Sequence, residues 1–217
     1  MINIKNLTKI YDKGKTRALN NISLSIEDGE FVSIMGSFGS GKSTLLNMVG
    51  GLDTPDEGTI EVMGNDLSKI NLSKYRRNTI GFVFQLHNLI PNLTSMENIQ
   101  IPLFSEKLKS SEMKERAMVL LNAVGLDGFC DKHPNKLSGG QMQRIAIARA
   151  LVNNPKIILA DEPTGQLDSE NSEIIMDLLE KRHIELDTTL IVITHDIEIA
   201  KKAQRIIKIT DGCIEEN

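Results

Sequence analysis

The stretch from Gly36 to Thr44 reads GSFGSGKST, and its residue types are those of a phosphate cradle. Gly36, Gly39 and Gly41, spaced by Ser37, Phe38 and Ser40, let backbone N–H groups turn inward around an anion. The run STLLNMV that follows is a helix pattern, and a helix N-terminus adds the positive end of its dipole. Lys42 supplies a point charge for the outer phosphates of a nucleotide, and Ser43 a hydroxyl for Mg²⁺. The strand-like run FVSIM precedes the loop, which is the setting a GxxxxGK[ST] motif requires. A second glycine-bearing stretch, LSGGQ at Leu137 to Gln141, also opens a helical run but has no lysine. Alone it reads as a flexible N-cap, with Ser138, Gly139 and Gly140 at the start of a helix able to donate to an anion. The sequence thus poses a question: why two cradles in 217 residues?

Acids for the same chemistry follow the run KIILA. Asp161 and Glu162 fall at the carboxyl end of an apolar strand, where ligands bind in open α/β sheets. Two acids there also suit a helix N-terminus. Beside a phosphate loop, the pair reads instead as a Mg²⁺ ligand, Asp161, and a general base on water, Glu162. His195 ends LIVITH, another strand end that should face the nucleotide.

These residues need elements to hold them. NISLSIE and GTIEVMG alternate apolar and polar side chains, the pattern of an antiparallel sheet with one covered face. FVSIM, KIILA, LIVIT and RIIKI are short apolar runs separated by helical patterns, as in a parallel sheet with crossover helices. TIGFVF suits either set. Between Gln85 and Gly140 strand signals stop. Thr94-to-Glu97, TSME, has the form of a capping box, and Pro102 should end or kink the helix it starts. Met113, Ala117, Leu120, Leu121 and Val124 share one helical face, with Gly125 placed to terminate it. The expected fold is α/β: a P-loop core with a mainly parallel sheet, an N-terminal antiparallel β-subdomain and an inserted α-helical subdomain. It forms one domain over 1–217, with the β-subdomain within about 1–30 and 57–80 and the helical subdomain at about 86–150.

Charge narrows the function. With 25 Lys+Arg against 29 Asp+Glu, the net charge of −4 argues against bulk nucleic-acid binding. No apolar run approaches the roughly 18 residues of a membrane span, and the start lacks the apolar core of a signal peptide. The expectation is a cytoplasmic protein whose membrane part is another chain. Cys130 and Cys213 read as idle thiols, and His87, His133 and His183 as loop or helix-surface residues without chemistry.

The P-loop, LSGGQ, ADEPTGQLDS and THD, in this order, resemble the ATP-binding cassette (ABC) family, the ATPase subunits of ABC transporters. The resemblance runs from about Ile2 to Gly212. It implies two subunits facing head to tail, each ATP lying between the P-loop of one and the LSGGQ of the other. The second cradle would then serve the partner's ATP through Ser138, Gly139, Gly140 and Gln141. The resemblance further implies roles for single residues. Tyr11 would stack on adenine, although by itself it suits a surface turn equally. Thr44 would lie near the α-phosphate. Gln85 would approach Mg²⁺ and water and sense the membrane partner. His195 would hold the γ-phosphate, and Asp168 would belong to the loop that crosses the dimer interface. The implied cofactors are ATP and Mg²⁺, and the implied partners are a second copy and a membrane permease on a separate chain, at the inner face of the cell membrane.

GFVFQLHNLIPNLTSMENIQIPL and LADEPTGQLDS look most like the lipoprotein-release, macrolide-export and cell-division branch. Two positions depart from the family pattern. Phe38 stands where small residues or proline are usual, and Gln166 where Asn or Ala is. The alternative function is a nucleotide-regulated scaffold with little turnover. A soluble relative acting on DNA or ribosomes would carry a long coiled-coil insert or two cassettes, and neither is present.

Overall fold

A computed structural model of the chain describes residues 1–165 and 167–215. Gln166, singled out above, lies outside the described residues.

The chain begins with β1 (Ile2–Tyr11), β2 (Thr16–Ile26) and β3 (Phe31–Met35), then α1 (Lys42–Val49), β4 (Glu57–Val62) and β5 (Asn65–Asp66). Next come α2 (Leu72–Thr79), β6 (Ile80–Val83), α3 (Ser95–Gln100), α4 (Ser110–Ala123) and α5 (Gly139–Leu151). The last third holds β7 (Ile157–Asp161), α6 (Ser169–Leu186), β8 (Thr189–Ile193), α7 (Ile197–Ala200), β9 (Arg205–Thr210) and β10 (Cys213–Ile214).

Two sheets form. One is antiparallel, in the order β2-β1-β4-β5. The other runs β10-β9-β3-β8-β7-β6 and is parallel except for its last hairpin, β9 with β10. TIGFVF, which suited either sheet, pairs parallel with β7 through Ile80 to Val83. Burial on both faces explains why the parallel strands read as unbroken apolar runs. In β8, Ile191 and Ile193 face a core shared with the antiparallel sheet and α1, while Leu190 and Val192 face one shared with α3 to α6. Helix α1 therefore sits between the two sheets, through Leu45, Leu46, Met48 and Val49.

The helical insert follows its local signals. Thr94 Oγ1 accepts from Glu97 N and Glu97 Oε2 accepts from Thr94 N, so the capping box starts α3. Past Gln100 the chain tightens into a 3-10 turn containing Pro102, whose missing N–H cannot continue the α-helix. Helix α4 buries Ala117, Leu120 and Leu121 and is followed by Gly125 at φ 68°. No helix among the described residues is long and apolar enough to cross a membrane.

Candidate functional site

The loop between β3 and α1 is built by close backbone approach. Gly36 lies against the carbonyl of Ile209 in β9, so that a Cβ there would run into it. Gly41, at φ 102°, lies as tightly against the carbonyl of Ala18. Gly41 is also the N-cap of α1 and has no side chain to cover the helix start. The amides of the first turn are therefore left for an anion. Lys42 is buried, and its Nζ donates to the carbonyls of Gly36 and Ser37 at 2.8 Å each, so its charge lies inside the loop. Phe38 is fully exposed at the loop's tip.

The sheet brings distant residues to this loop, because β7 and β8 are parallel neighbours on one side of β3. Asp161 ends β7 and is hydrogen-bonded by Ser43 of α1. Burial pushes its carboxyl above the usual carboxylate range and Glu162 adds to the rise, against the pull of Ser43 and Lys42. Asp161 and the Ser43 hydroxyl that bonds it form an oxygen donor set, with Gln85 held on the adjacent Glu162. With a single carboxylate this set fits Mg²⁺, which takes its remaining ligands from phosphate and water. A dication there would relieve the strain on Asp161.

Glu162 is held in an uncommon backbone conformation, φ 44°, with its N–H on the carbonyl of Ile193 in β8. Such conformations persist where the surroundings over-determine them, and they collect at functional sites. Gln85 Nε2 donates to Glu162 Oε2 at 3.2 Å, and His195 Nδ1 lies 3.4 Å from the same oxygen. Three residues from three strand ends thus converge on one carboxylate oxygen: a proton acceptor, with an amide and an imidazole beside it. Tyr11 lies near the loop too, within hydrogen-bond reach of Thr44. Its hydroxyl donates to Asp53 Oδ2 at 2.8 Å, and the Lys9 ammonium is 5.2 Å from its ring centre. Burial and the Asp53 carboxylate raise its pKa. Its half-exposed ring is thereby fixed at the edge. The sequence carries no local signal for Asp53, which is 42 residues from Tyr11.

The second cradle stands apart. Among the described residues, no hydrogen bond or ion pair joins Gly36–Thr44 to Ser138–Gln141. Ser138 caps α5: its Oγ accepts from Gln141 N at 3.3 Å, and Gln141 Oε1 accepts from Ser138 N at 2.9 Å. This reciprocal capping satisfies the N–H groups of Ser138 and Gln141 and leaves those of Gly139 and Gly140 outside it. Asp168 is the N-cap of α6 and binds the Asn171 backbone and side chain, which hold its carboxyl below the usual range. Asn171 packs on Gly140, where a Cβ would come within 2.8 Å of its Oδ1, so Asp168 belongs with the second cradle in this chain. His87 lies on a loop, as expected, but is buried there. It is 8% exposed, with Nε2 at 2.9 Å from the carbonyl of Gly139.

Comparison with known proteins adds to this geometry. The family model described as ABC transporter matches residues 19–165. MJ0796 of Methanocaldococcus jannaschii, named as an uncharacterised ABC transporter ATP-binding protein, is 51% identical over 99% of this chain and 95% of its own. MJ1508 of the same organism, named likewise, is 48% identical over 100% and 98%. Two solved structures, both dimeric MJ0796, superpose with TM-scores of 0.93 and 0.94 at 48% and 49% identity. Each covers 100% of this chain and 97% of its own, and the first is a post-hydrolysis state bound to ADP and Pi.

Proposed function

The chain belongs to the ABC transporter family, and from that premise we propose that it is the ATP-hydrolysing motor subunit of a membrane transporter, working as a head-to-tail dimer that encloses two ATP. The observation that carries this reading is the convergence of Gln85 and His195 on Glu162 beside the loop that holds Lys42. The dimeric relative bound to ADP and Pi supports it.

The whole chain acts as one ATPase domain, with its antiparallel sheet and helical insert as subdomains. The amides of Gly39 to Thr44 and the Lys42 ammonium hold the phosphates, Thr44 is nearest the α-phosphate, and Tyr11 stacks on adenine. Ser43 and Asp161, with Gln85 near, would hold Mg²⁺, which would supply positive charge against the phosphates. Glu162 takes a proton from the attacking water as the new oxygen–phosphorus bond forms and the bond from the γ-phosphorus to the bridging oxygen breaks, its electron pair leaving with ADP. His195 and Gln85 orient the γ-phosphate and that water, and the products are ADP and phosphate. Ser138, Gly139, Gly140 and Gln141 close on the nucleotide of the partner, and Asp168 lies at the interface. Two cradles serve two different nucleotides. The purified chain should release phosphate from ATP steadily with Mg²⁺. Tight ATP binding with no release would favour the regulator over the motor.

The membrane partner docks on the helical insert. Leu86 is 68% exposed and Phe104 63%, and Ile90 is exposed with them. Leu89 instead packs on the helical core, and Leu93 is half-buried. Nearby, Arg76, Arg77, Ile101, Pro102, Arg149 and Asn153 line a groove of about 310 Å³. Apolar rims around three arginines suit a short helix that carries an acidic residue. A photo-cross-linker at Leu86 should capture the permease; contacts found only elsewhere would refute this surface. The sequence of this insert is most like the lipoprotein-release, macrolide-export and cell-division branch. The motor therefore works at the inner membrane face, exporting or extracting a peptide, lipoprotein or drug-like substrate by mechanical transmission.

A further inference from the structure

Two residues beyond Gln85 the backbone takes a course that side chains disfavour: φ is 57° at His87 and 50° at Asn88. Both ends of α5 hold it there. From the last turn, Arg149 Nη2 donates to the His87 carbonyl at 2.7 Å and Nη1 to the Asn88 carbonyl at 2.6 Å. At the first turn, the buried His87 ring meets the carbonyl of Gly139 at 2.9 Å. A carbonyl can only accept, so Nε2 carries the hydrogen and donates. The accepting oxygen belongs to the peptide unit that joins Gly139 to Gly140. The other end of that unit is the Gly140 N–H, a first-turn amide with no acceptor inside the helix.

We infer that His87 is a positioning residue of the second cradle: its Nε2–H fixes the plane of the Gly139–Gly140 peptide and polarises the Gly140 N–H toward an anion. Chained hydrogen bonds strengthen one another, so a donor on the carbonyl makes the amide at the far end a better donor. The inference rests on the reading that Ser138 to Gly140 bind the partner's nucleotide. It adds a link between the two nucleotide sites of a dimer. Gln85, on Glu162, and His87, on Gly139, are separated by one residue. The hydrolytic carboxylate of one site and an anion donor of the other are thus tied through three consecutive residues. Arg149 anchors the strained backbone at His87 and Asn88, so a shift of Gln85 is passed to the Gly139 peptide rather than lost in the loop.

The test uses two variants in a Glu162→Gln background. His87→Phe keeps a ring and loses the donor, while His87→Gln keeps a donor. Sedimentation equilibrium at saturating ATP should show the dimer weakened about tenfold or more by His87→Phe, since one hydrogen bond is lost in each of two copies. His87→Gln should recover most of that loss. Binding of a fluorescent ATP analogue to the monomer should stay unchanged in both. An unchanged dimer in His87→Phe, no recovery in a natively folded His87→Gln, or an equal fall in monomer binding would each overturn the inference. A Glu162→Gln parent that does not dimerise with ATP would instead overturn the functional reading beneath it. One measurement needs no variant. The ring-nitrogen spectrum of the unmutated chain should show His87 Nε2 protonated, and a bare Nε2 would overturn the proposal whatever the variants do.

Discussion

Glu162→Gln should leave ATP binding intact and slow hydrolysis by about 10²–10⁴-fold, the range general-base catalysis contributes. The substitution is nearly isosteric, so Gln85 and His195 keep their neighbour, and the strained backbone at φ 44° remains held by the Ile193 carbonyl. Only the capacity to take a proton from water is lost. If hydrolysis opens the dimer by removing the phosphate that joins its halves, the variant should accumulate as a dimer on ATP. Size-exclusion chromatography with and without ATP reads this directly. A monomer at saturating, independently verified occupancy would sink the sandwich.

The second large effect is expected from Ser138→Arg, which should abolish ATP-dependent dimerisation while nucleotide binding by the same chain persists. Bulk decides the outcome: overpacking costs about 1–3 kcal/mol per site, and a symmetric dimer carries two such sites. Removing the Ser138 hydroxyl also uncaps α5, at a further cost of about 0.5–2 kcal/mol to the helix. Ser138→Ala removes the cap without the bulk and separates the two contributions, so it should weaken the dimer far less. Isothermal calorimetry on the monomer and chromatography on the dimer together decide. Loss of binding by the isolated chain would mean that the cradle acts on its own nucleotide.

What could be read in advance was what is local. Strand, glycine loop and helix are contiguous from Phe31 to Val49, so the phosphate cradle declares itself in one stretch. The same holds for the Thr94–Glu97 box and for Pro102. The alternation in β2 and the apolar runs of β7 and β8 separate a sheet covered on one face from one covered on both. TIGFVF stayed open because its partner, β7, lies 77 residues on, and only the pairing of Ile80 with Ile157 decides. His87 read as a loop residue without chemistry because its burial depends on where α5 places Gly139, 52 residues away. The hold of Asp53 on Tyr11 was hidden for the same reason.

The strand that feeds the phosphate loop has an order-of-assembly consequence. β3 is made early, yet both its neighbours, β8 and β9, come from the end of the chain. Gly36 leans on Ile209, and Gly212 N donates to the Ser40 carbonyl, so the loop itself rests on the final hairpin. On a ribosome adding about 5–20 residues per second, roughly ten to thirty seconds separate synthesis of the loop from that of its supports. During that interval the antiparallel sheet can pair among its own strands, whereas β3 has two bare edges. A nascent chain therefore gains nucleotide affinity only once β8, β9 and the β9–β10 hairpin have been made. Chains that lack these strands cannot compete for ATP or for the second subunit, and the unpaired edges of β3 are where a chaperone would find them.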